Sequence, residues 1–273
     1  MNVYDGILEF KGTWRNYQER VLNASGRYLA DHKVHIVAAP GSGKTTLGIE
    51  LIRRLGSPCL IFSPTITIRQ QWLARITEGF VKGDEAPEGL FSNDLKNMGK
   101  ITAVTYQALH SAMKHYQGKL EESQEGEEEG EKESREETVD YHDFDVLEAA
   151  KKAGIQTICL DEAHHLRTEW WKALEQFIKE MDGVDLVVLT ATPPYDSTPA
   201  EWKRYTTLCG PIDEEIFTPE LVKEGSLCPH QDYVYFNWPT EEEREYVEEY
   251  RYQVQVLIQK LLLDQELTQL RCV

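Results

Sequence analysis

The segment from Ala38 to Thr46, Ala-Ala-Pro-Gly-Ser-Gly-Lys-Thr-Thr, constrains this chain more than any other part of its sequence. It lies between an apolar run, Val34 to Ala38, and a helix-like segment, Thr45 to Leu55. Its glycines let backbone N–H groups turn inward around a polyphosphate, and the helix start adds the positive end of its dipole. The pattern therefore predicts a phosphate-binding loop, although Ala38 stands where the strict pattern has Gly.

Two side chains of this loop carry the expected chemistry. Lys44 would bring a full positive charge to the β and γ phosphates, and the Thr45 hydroxyl would bind Mg²⁺. A glycine-rich turn with an incidental lysine is the alternative, and the flanking strand and helix argue against it. The predicted ATP-binding residues of the loop are Pro40, Gly41, Ser42, Gly43, Lys44, Thr45 and Thr46.

Short apolar runs alternate with helix-like segments along much of the chain. Strands that are apolar throughout are typical of a parallel sheet covered on both faces. Crossovers in such a sheet bring the ligand site to the carboxyl ends of the strands. We therefore expect a three-layer α/β/α domain with a mostly parallel sheet. The apolar runs begin at Val34, Cys59, Ile101, Ile155 and Val184, and the helix-like segments begin at Thr45, Thr67, Gln107 and Thr168.

Asp161 and Glu162 follow directly on the apolar run that ends at Leu160. A carboxylate at the end of a strand lies where the magnesium partner of the loop threonine must be, so we assign Asp161 to Mg²⁺. Glu162 is placed to orient and deprotonate the attacking water. The alternative is a pair of acidic residues that complement the dipole of a helix. Together, Lys44, Asp161 and Glu162 are the predicted catalytic residues.

Several of these segments resemble the motifs of superfamily 2 helicases. Asp161-Glu162-Ala163-His164 reproduces the DEAH box, and Thr190-Ala191-Thr192-Pro193 resembles the motif that links hydrolysis to movement. Ser63-Pro64-Thr65 resembles motif Ia, and Thr105-Tyr106-Gln107 resembles the Thr-x-Gln element that follows it. Trp14-Arg15-Asn16-Tyr17-Gln18 resembles the Arg-x-x-Gln segment whose glutamine reads the adenine edge. The resemblance runs from residue 14 to about residue 193.

This resemblance implies a P-loop NTPase fold of the RecA-like kind, with ATP and Mg²⁺ as cofactors. Arg15 and Gln18 would join the ATP site, and His164, Thr190 and Thr192 would couple hydrolysis to movement. Each nucleic-acid contact has an alternative as a helix cap or a surface polar group, and for Gln71 the two interpretations are evenly balanced. The implied nucleic-acid contacts are Ser63, Pro64, Thr65, Arg69, Thr105 and Gln107.

The double histidine after Glu162-Ala163 and the Arg-x-x-Gln start resemble the branch of type III restriction enzyme R-subunits and bacterial defence helicases. DNA is the expected partner, with RNA as the alternative. A second RecA-like domain is expected downstream in the full-length protein, because no segment like Q-x-x-R-x-G-R occurs here. We therefore expect weak hydrolysis by this chain alone. A non-motor ATP switch that regulates a protein partner is the competing function.

The net charge of −18 argues against a polyanionic partner until its distribution is considered. Ten Glu against one Lys and one Arg lie between Glu121 and Glu137, and without this run −10 remains. Such a run repels itself, so we expect a disordered insertion at about residues 119–140; a mimic of nucleic acid is the alternative.

Residues 1–225 are predicted to form the first RecA-like domain. Residues 226–273 would hold an exit strand, Tyr233 to Asn237, and a connecting helix from Thr240 to Leu270, for which a coiled-coil partner surface is the rival interpretation. The chain has no apolar run long enough to cross a membrane and no signal peptide, so a cytoplasmic location is expected.

Overall fold

The computed structural model describes residues 2–83, 85–122, 135–163, 166, 168–229 and 237–263. The chain divides into two compact units, Met1–Cys228 and Pro229–Val273. None of the described helices combines the length and the apolar character that a membrane crossing requires.

A seven-stranded sheet forms the centre of the first unit, and a two-stranded ladder lies apart from it. The strands are β1 (Lys33–Ala38), β2 (Cys59–Ser63), β3 (Phe91–Ser92), β4 (Ile101–Thr105), β5 (Gln117–Glu122), β6 (Arg135–Asp140), β7 (Thr157–Asp161), β8 (Asp185–Thr190) and β9 (Glu214–Ile216). The order in the large sheet is β3-β4-β2-β7-β8-β1-β9. All of its strand pairings are parallel, as in β1 against β8, where Ile36 lies opposite Leu189. The separate ladder pairs β5 with β6 in antiparallel fashion.

Helices cover both faces of this sheet, because neighbouring strand residues alternate between two apolar cores. Cys59 and Ile61 of β2 face one core, and Leu60 and Phe62 face the other. The first three helices pack on one face and the next four on the other. The helices are α1 (Asn16–Tyr28), α2 (Lys44–Leu55), α3 (Ile66–Gly79), α4 (Tyr106–Met113), α5 (Val146–Lys152), α6 (Thr168–Glu180), α7 (Pro199–Cys209), α8 (Thr218–Lys223) and α9 (Glu241–Leu263).

The predicted α/β fold of the P-loop, RecA-like kind is confirmed, with a sheet that is parallel in every pairing. Each of the five apolar runs forms a strand, and the observed ends differ by at most two residues from those expected. The two edge strands, β3 and β9, were not predicted, because two or three residues are too few for a recognisable period. A short turn of 3₁₀ helix, Leu29–Asp31, leads into β1.

The acidic insertion differs from the expectation of disorder at its two ends. Strands β5 and β6 pair there, with Lys119 opposite Thr138 and Glu121 opposite Glu136. The flanking residues explain the pairing, since Tyr141 N donates to Tyr116 O at 2.9 Å and so brings the two ends of the insertion side by side. Backbone ladder bonds can then form in spite of the like charges. The middle of the insertion lies outside the described residues.

The second unit contains α9, which lies within the predicted connecting helix. Tyr246, Tyr250 and Leu257 are exposed along it. The predicted exit strand, Tyr233 to Asn237, falls outside the described residues except for its last position.

Candidate active site at the carboxyl edge of the sheet

The predicted phosphate-binding loop joins the end of β1 to the start of α2 at Lys44. Gly41 and Gly43 have φ angles of 73° and 95°, a left-handed conformation that strains any residue with a Cβ. A Cβ on Gly43 would also lie 2.8 Å from Gln18 Nε2. The turn itself therefore requires both glycines, independently of any ligand.

Side chains at the start of α1 hold the carbonyl oxygens of this loop. Arg15 Nη1 donates to Gly41 O at 2.9 Å and also to Ser42 O. The buried Tyr17 hydroxyl donates to Ser42 O at 2.9 Å. These hydrogen bonds fix the carbonyl oxygens of Gly41 and Ser42 towards α1.

Gln18, the predicted reader of adenine, is buried against the same loop. Its Nε2 donates to Gly43 O at 3.1 Å, and its Oε1 accepts from Arg15 N at 3.0 Å. Both amide atoms therefore have partners within the protein, and together with Arg15 they support the loop. Contact of Gln18 with adenine stays a prediction.

Lys44 and Glu162 form an ion pair beneath the loop. Lys44 Nζ lies 3.0 Å from Glu162 Oε1 and donates to Ala38 O at 2.9 Å. The Lys44 side chain is only 9% exposed, so its charge requires these partners. Glu162 has a φ of 51°, an uncommon conformation for a residue with a side chain, and it begins the turn after β7. The turn aims its carboxylate at the loop lysine.

The second oxygen of Glu162 is held by the segment that follows β8. Glu162 Oε2 accepts from Thr190 Oγ1 at 3.1 Å and from Ala191 N at 2.9 Å. The predicted coupling residue Thr190 therefore contacts the predicted base directly. Of the other two predicted coupling residues, Thr192 lies two positions after Thr190 in the chain, and His164 lies outside the described residues.

Asp161, at the end of β7, is buried and hydrogen-bonded to two aromatic side chains. Trp72 Nε1 donates to Asp161 Oδ2 at 2.6 Å, and the Tyr106 hydroxyl donates to Asp161 O at 3.0 Å. Burial raises the pKa of Asp161 to about 6, although the Trp72 hydrogen bond opposes the rise. The nearby Glu162 charge adds to the rise, and Lys44 opposes it. No local sequence pattern indicates the hydrogen bond between Trp72 and Asp161.

A cavity of about 540 Å³ brings these groups together. Its wall contains the loop from Ala39 to Thr46, with Asp161 and Glu162. In the described part of the chain, no three His, Cys, Asp or Glu side chains cluster as metal ligands. Mg²⁺ does not need such a cluster, because it is commonly held by one or two protein oxygens, the phosphates and water. The Thr45 hydroxyl and the Asp161 carboxylate fit that donor set.

The same cavity has walls that the sequence did not predict. Phe10 and Thr13 precede the Arg-x-x-Gln segment, and Ile68 and Arg75 come from α3. Arg75 is exposed and lies two turns after Ile68 on this helix. The spacing of seven residues, which returns a helix to nearly the same face, is the signal that could have placed Ile68 and Arg75 together.

The predicted nucleic-acid contacts lie near the ends of β2 and β4, and several are already used by the protein. Thr65 Oγ1 accepts from Ile68 N at 3.2 Å and caps α3; Thr105 caps α4 through Ala108 N, also at 3.2 Å. For these two threonines the helix-cap alternative is therefore realised. Ser63 is buried at the end of β2, Arg69 is also buried, and Pro64 and Gln107 are half-buried.

Comparison with protein families shows which family the chain matches. The family described as type III restriction enzyme, res subunit, matches residues 11–195, a range that contains the loop, the acidic pair and the segment after β8.

Among individual proteins, the DNA 3'-5' translocase XPB2 of Sulfurisphaera tokodaii is 25% identical over 215 residues. The match covers 77% of this chain and 38% of that protein, so this chain spans less than half of the relative's length.

Two solved structures are also similar. The Pyrococcus furiosus Hef helicase domain has a TM-score of 0.49 and 17% identity, over 77% of this chain and 39% of that chain. The second is a nuclease-deletion mutant of the Type ISP restriction-modification enzyme LlaGI, in complex with a DNA substrate mimic. It has a TM-score of 0.48 and 17% identity, over 93% of this chain and 23% of that chain. Both scores are below 0.5, so the strand order and directions, rather than these superpositions, define the fold.

Proposed function

Because this chain belongs to the family of the type III restriction enzyme res subunit, we propose that residues 1–225 are the first ATP-binding motor domain of a superfamily 2 DNA helicase or translocase of the DEAH-box kind. Residues 226–273 then lead towards a second motor domain. The observation that carries the proposal is the arrangement of Lys44, Asp161 and Glu162 around one cavity, under a loop that is shaped for phosphates.

The ion pair of Lys44 with Glu162 is the state that ATP has to change. The β and γ phosphates offer Lys44 more negative charge than one carboxylate does, so they compete for its ammonium group. Once Lys44 turns to the phosphates, this ion pair is broken and the Glu162 carboxylate can accept a proton. Binding of the substrate thus prepares the base, and the ion pair offsets the cost of a buried, unpaired charge on Lys44.

Glu162 then orients the attacking water and takes its proton. Its Oε2 stays bonded to Thr190 Oγ1 and Ala191 N, so any change in its position is transmitted to the segment after β8. This contact supports the proposed coupling role of Thr190. A change at the γ-phosphate that moves Glu162 therefore reaches the backbone after β8 through the hydrogen bonds that Oε2 accepts.

Magnesium, when bound, neutralises developing charge on the phosphates. Thr45 and Asp161 are the residues that we assign to it, the first by its hydroxyl and the second by its carboxylate. Asp161 has one oxygen, Oδ2, committed to Trp72. The burial of Asp161 keeps water away from this side of the cavity, which strengthens the attraction between the carboxylate and a cation.

DNA is the proposed polynucleotide, with RNA as the alternative. The sheet edge that carries Glu162 also carries Thr65 and Thr105, so a strand lying along it would contact the ends of α3 and α4. In each cap the threonine hydroxyl accepts from one backbone amide of the helix start, so the other amides of the first turn are the donors that we assign to phosphates, which would make recognition independent of sequence. Efficient turnover is proposed to need the second motor domain.

The test is nucleotide binding and hydrolysis by the parent chain and by Lys44→Ala. Removing the ammonium should weaken binding of Mg-ATP roughly 10- to 100-fold, the worth of a charge-assisted bond to phosphate. Isothermal titration calorimetry would measure it. Lys33→Ala, at the opposite end of β1, is the matched control, because it removes a half-buried lysine, whose ammonium group donates to Thr207 O, from the same strand. Equal affinities of Lys44→Ala and the parent would reject the site.

The rate of ATP hydrolysis is then measured at increasing concentrations of single- and double-stranded DNA and RNA, using a protein that includes the downstream domain. Stimulation by DNA supports the motor. Hydrolysis that is indifferent to every polynucleotide would favour the non-motor switch instead.

A further inference from the structure

Asp161 is bound by one aromatic side chain from each of two successive helices. The indole of Trp72, in α3, donates to its carboxylate at 2.6 Å, and the phenol of Tyr106, in α4, donates to its carbonyl at 3.0 Å. Both aromatic residues are fully or almost fully buried. A bond from an N–H to a buried carboxylate is charge-assisted and strongly directional, so it fixes the plane of that carboxylate.

These two helices begin at residues that we predicted to contact nucleic acid. Tyr106 follows directly on Thr105, which caps α4. Trp72 lies one turn after Arg69 and two turns after Thr65, which caps α3. Arg69 is 8% exposed, and its Nε makes no hydrogen bond to any described residue. A buried guanidinium nitrogen without a partner is costly, so this position is suited to an anion such as a backbone phosphate.

The indole of Trp72 is also held from the side of the phosphate-binding loop. Gly48 of α2 faces it so closely that a Cβ there would lie 2.9 Å from the ring and 2.5 Å from Leu189 Cδ1. A glycine at this position lets α2 approach the indole directly. Trp72 therefore has α2 on one side and the Asp161 carboxylate at its nitrogen, and it cannot turn without disturbing one of them.

We propose that Trp72 and Tyr106 are positioning residues for Asp161, through which the two helices that start at the nucleic-acid contacts set how that carboxylate meets magnesium. This inference rests on the proposed function. Trp72 occupies Oδ2 and leaves Oδ1 of Asp161, a residue that lines the cavity, for magnesium, while Tyr106 fixes the backbone from which Glu162 turns. A nucleic-acid strand that binds at Thr65, Arg69 or Thr105 shifts one of these helices. The shift reaches Asp161 through the hydrogen bond that Trp72 or Tyr106 donates to it. Polynucleotide binding thus regulates the magnesium site, although the polynucleotide itself does not contact the ATP.

The experiment replaces one hydrogen-bond donor at a time in the full 273-residue chain. Trp72→β-(3-benzothienyl)alanine keeps the shape of the indole and exchanges its N–H for sulfur. Tyr106→Phe removes the phenol oxygen only. The same benzothienyl replacement at Trp202, whose ring packs against those of Tyr195 and Tyr205, is the matched control. Circular dichroism and thermal unfolding compare the folding of every variant with that of the parent.

The readout is the affinity for a fluorescent ATP analogue, measured by anisotropy in EDTA and across a magnesium titration. Loss of the indole donor should leave the affinity in EDTA unchanged and raise the magnesium concentration at half-effect roughly 10- to 100-fold, the usual range for the loss of a bond to a metal ligand. Tyr106→Phe should raise it roughly 2- to 10-fold, because its bond is to a neutral carbonyl. If the two residues had a purely structural role, their replacement would weaken nucleotide binding equally in EDTA and in magnesium.

A second arm repeats the magnesium titration with single-stranded oligodeoxythymidine. In the parent and the Trp202 control, the oligonucleotide should shift the magnesium curve; in the Trp72 variant the shift should vanish. Magnesium curves that coincide for the parent and both variants overturn the positioning roles, and an equal shift in the Trp72 variant overturns the link to the helices. If the parent itself binds no nucleotide, the proposed function fails instead, so the two failures are distinct.

Discussion

Two groups of polar side chains lie along or at the end of the same interior strand, β1, and they are built in opposite ways. One is the ionic cluster of Lys44, Asp161 and Glu162, next to the loop that follows this strand. The other is the His35 cluster, in which Nδ1 of His35 lies 3.2 Å from Gly210 O and Nε2 lies 2.9 Å from the Tyr205 hydroxyl.

The His35 cluster is neutral and complete. A carbonyl can only accept, so Nδ1 carries the hydrogen and Tyr205 donates its hydroxyl hydrogen to Nε2. The ring is fully buried, and burial lowers the pKa of His35 to about 4. The ionic cluster sets two carboxylates against one ammonium group beside a cavity, and only Lys44 and Glu162 form an ion pair. Complete internal pairing indicates a structural role, whereas an excess of negative charge beside open space indicates a ligand, here a cation, that completes the balance.

The largest expected effect that separates the two clusters is on hydrolysis by Glu162→Gln. Loss of the general base should reduce the hydrolysis rate roughly 10²- to 10⁴-fold. ATP affinity should be kept or increased, because Lys44 no longer has to leave a carboxylate. Single-turnover hydrolysis and calorimetry measure the two quantities. Glu175→Gln, which breaks the half-buried ion pair with Arg204, is the control and should change neither. A Glu162→Gln protein that hydrolyses at the parent rate would remove the base assignment.

The His35 cluster predicts a dependence of stability on pH. The folded pKa, about 4, lies below the ordinary value of 6.5, so between these values the unfolded chain binds the proton and the folded chain does not. Stability is therefore retained above pH 6.5 and lost as the pH falls towards 4, by roughly 3 kcal/mol from this residue. Urea unfolding of the parent across this range measures the loss.

The comparison protein for this measurement is the double variant His35→Phe with Tyr205→Phe, which removes the imidazole and does not leave its partner hydroxyl unpaired. Its free energy of unfolding should fall less with decreasing pH, by the same roughly 3 kcal/mol. Parallel pH curves for the two proteins would mean that the folded chain accepts the proton on His35 as readily as the unfolded chain does.

The sequence predicted the backbone that carries both clusters better than it predicted the clusters themselves. Apolar runs such as Cys59 to Phe62 are buried on both faces, and this requirement alone predicted the five central strands. The loop glycines and the strand-end position of Asp161 likewise follow from local rules. Edge strands such as β9 have too few residues for such a pattern, and only their pairing partner, here β1, defines them.

What the sequence could not supply was the choice of partners. Trp72 on a helical apolar face predicts packing, and nothing in its neighbours indicates that its nitrogen meets a carboxylate that lies 89 residues further along the chain. His35 within an apolar run likewise gives no sign of Tyr205. Thr65 and Thr105 were assigned to nucleic acid by resemblance, and their hydroxyls cap helices. Long-range hydrogen bonds depend on tertiary geometry, which a single sequence does not encode in any local pattern.

The smallest expected effect distinguishes the two oxygens of Glu162 within the ionic cluster. Thr190→Val keeps the shape of the side chain and removes the hydroxyl that donates to Oε2, while Ala191 N still holds the same oxygen. One neutral donor to a charged acceptor is lost, so the hydrolysis rate should fall roughly 3- to 10-fold, and ATP affinity should stay within about twofold of the parent. Thr190→Ser, which retains a hydroxyl, should restore most of the rate. Because Lys44 pairs with the other oxygen, Oε1, a Thr190→Val protein that loses affinity but not rate would assign Thr190 to the phosphate side of the site instead of to the base.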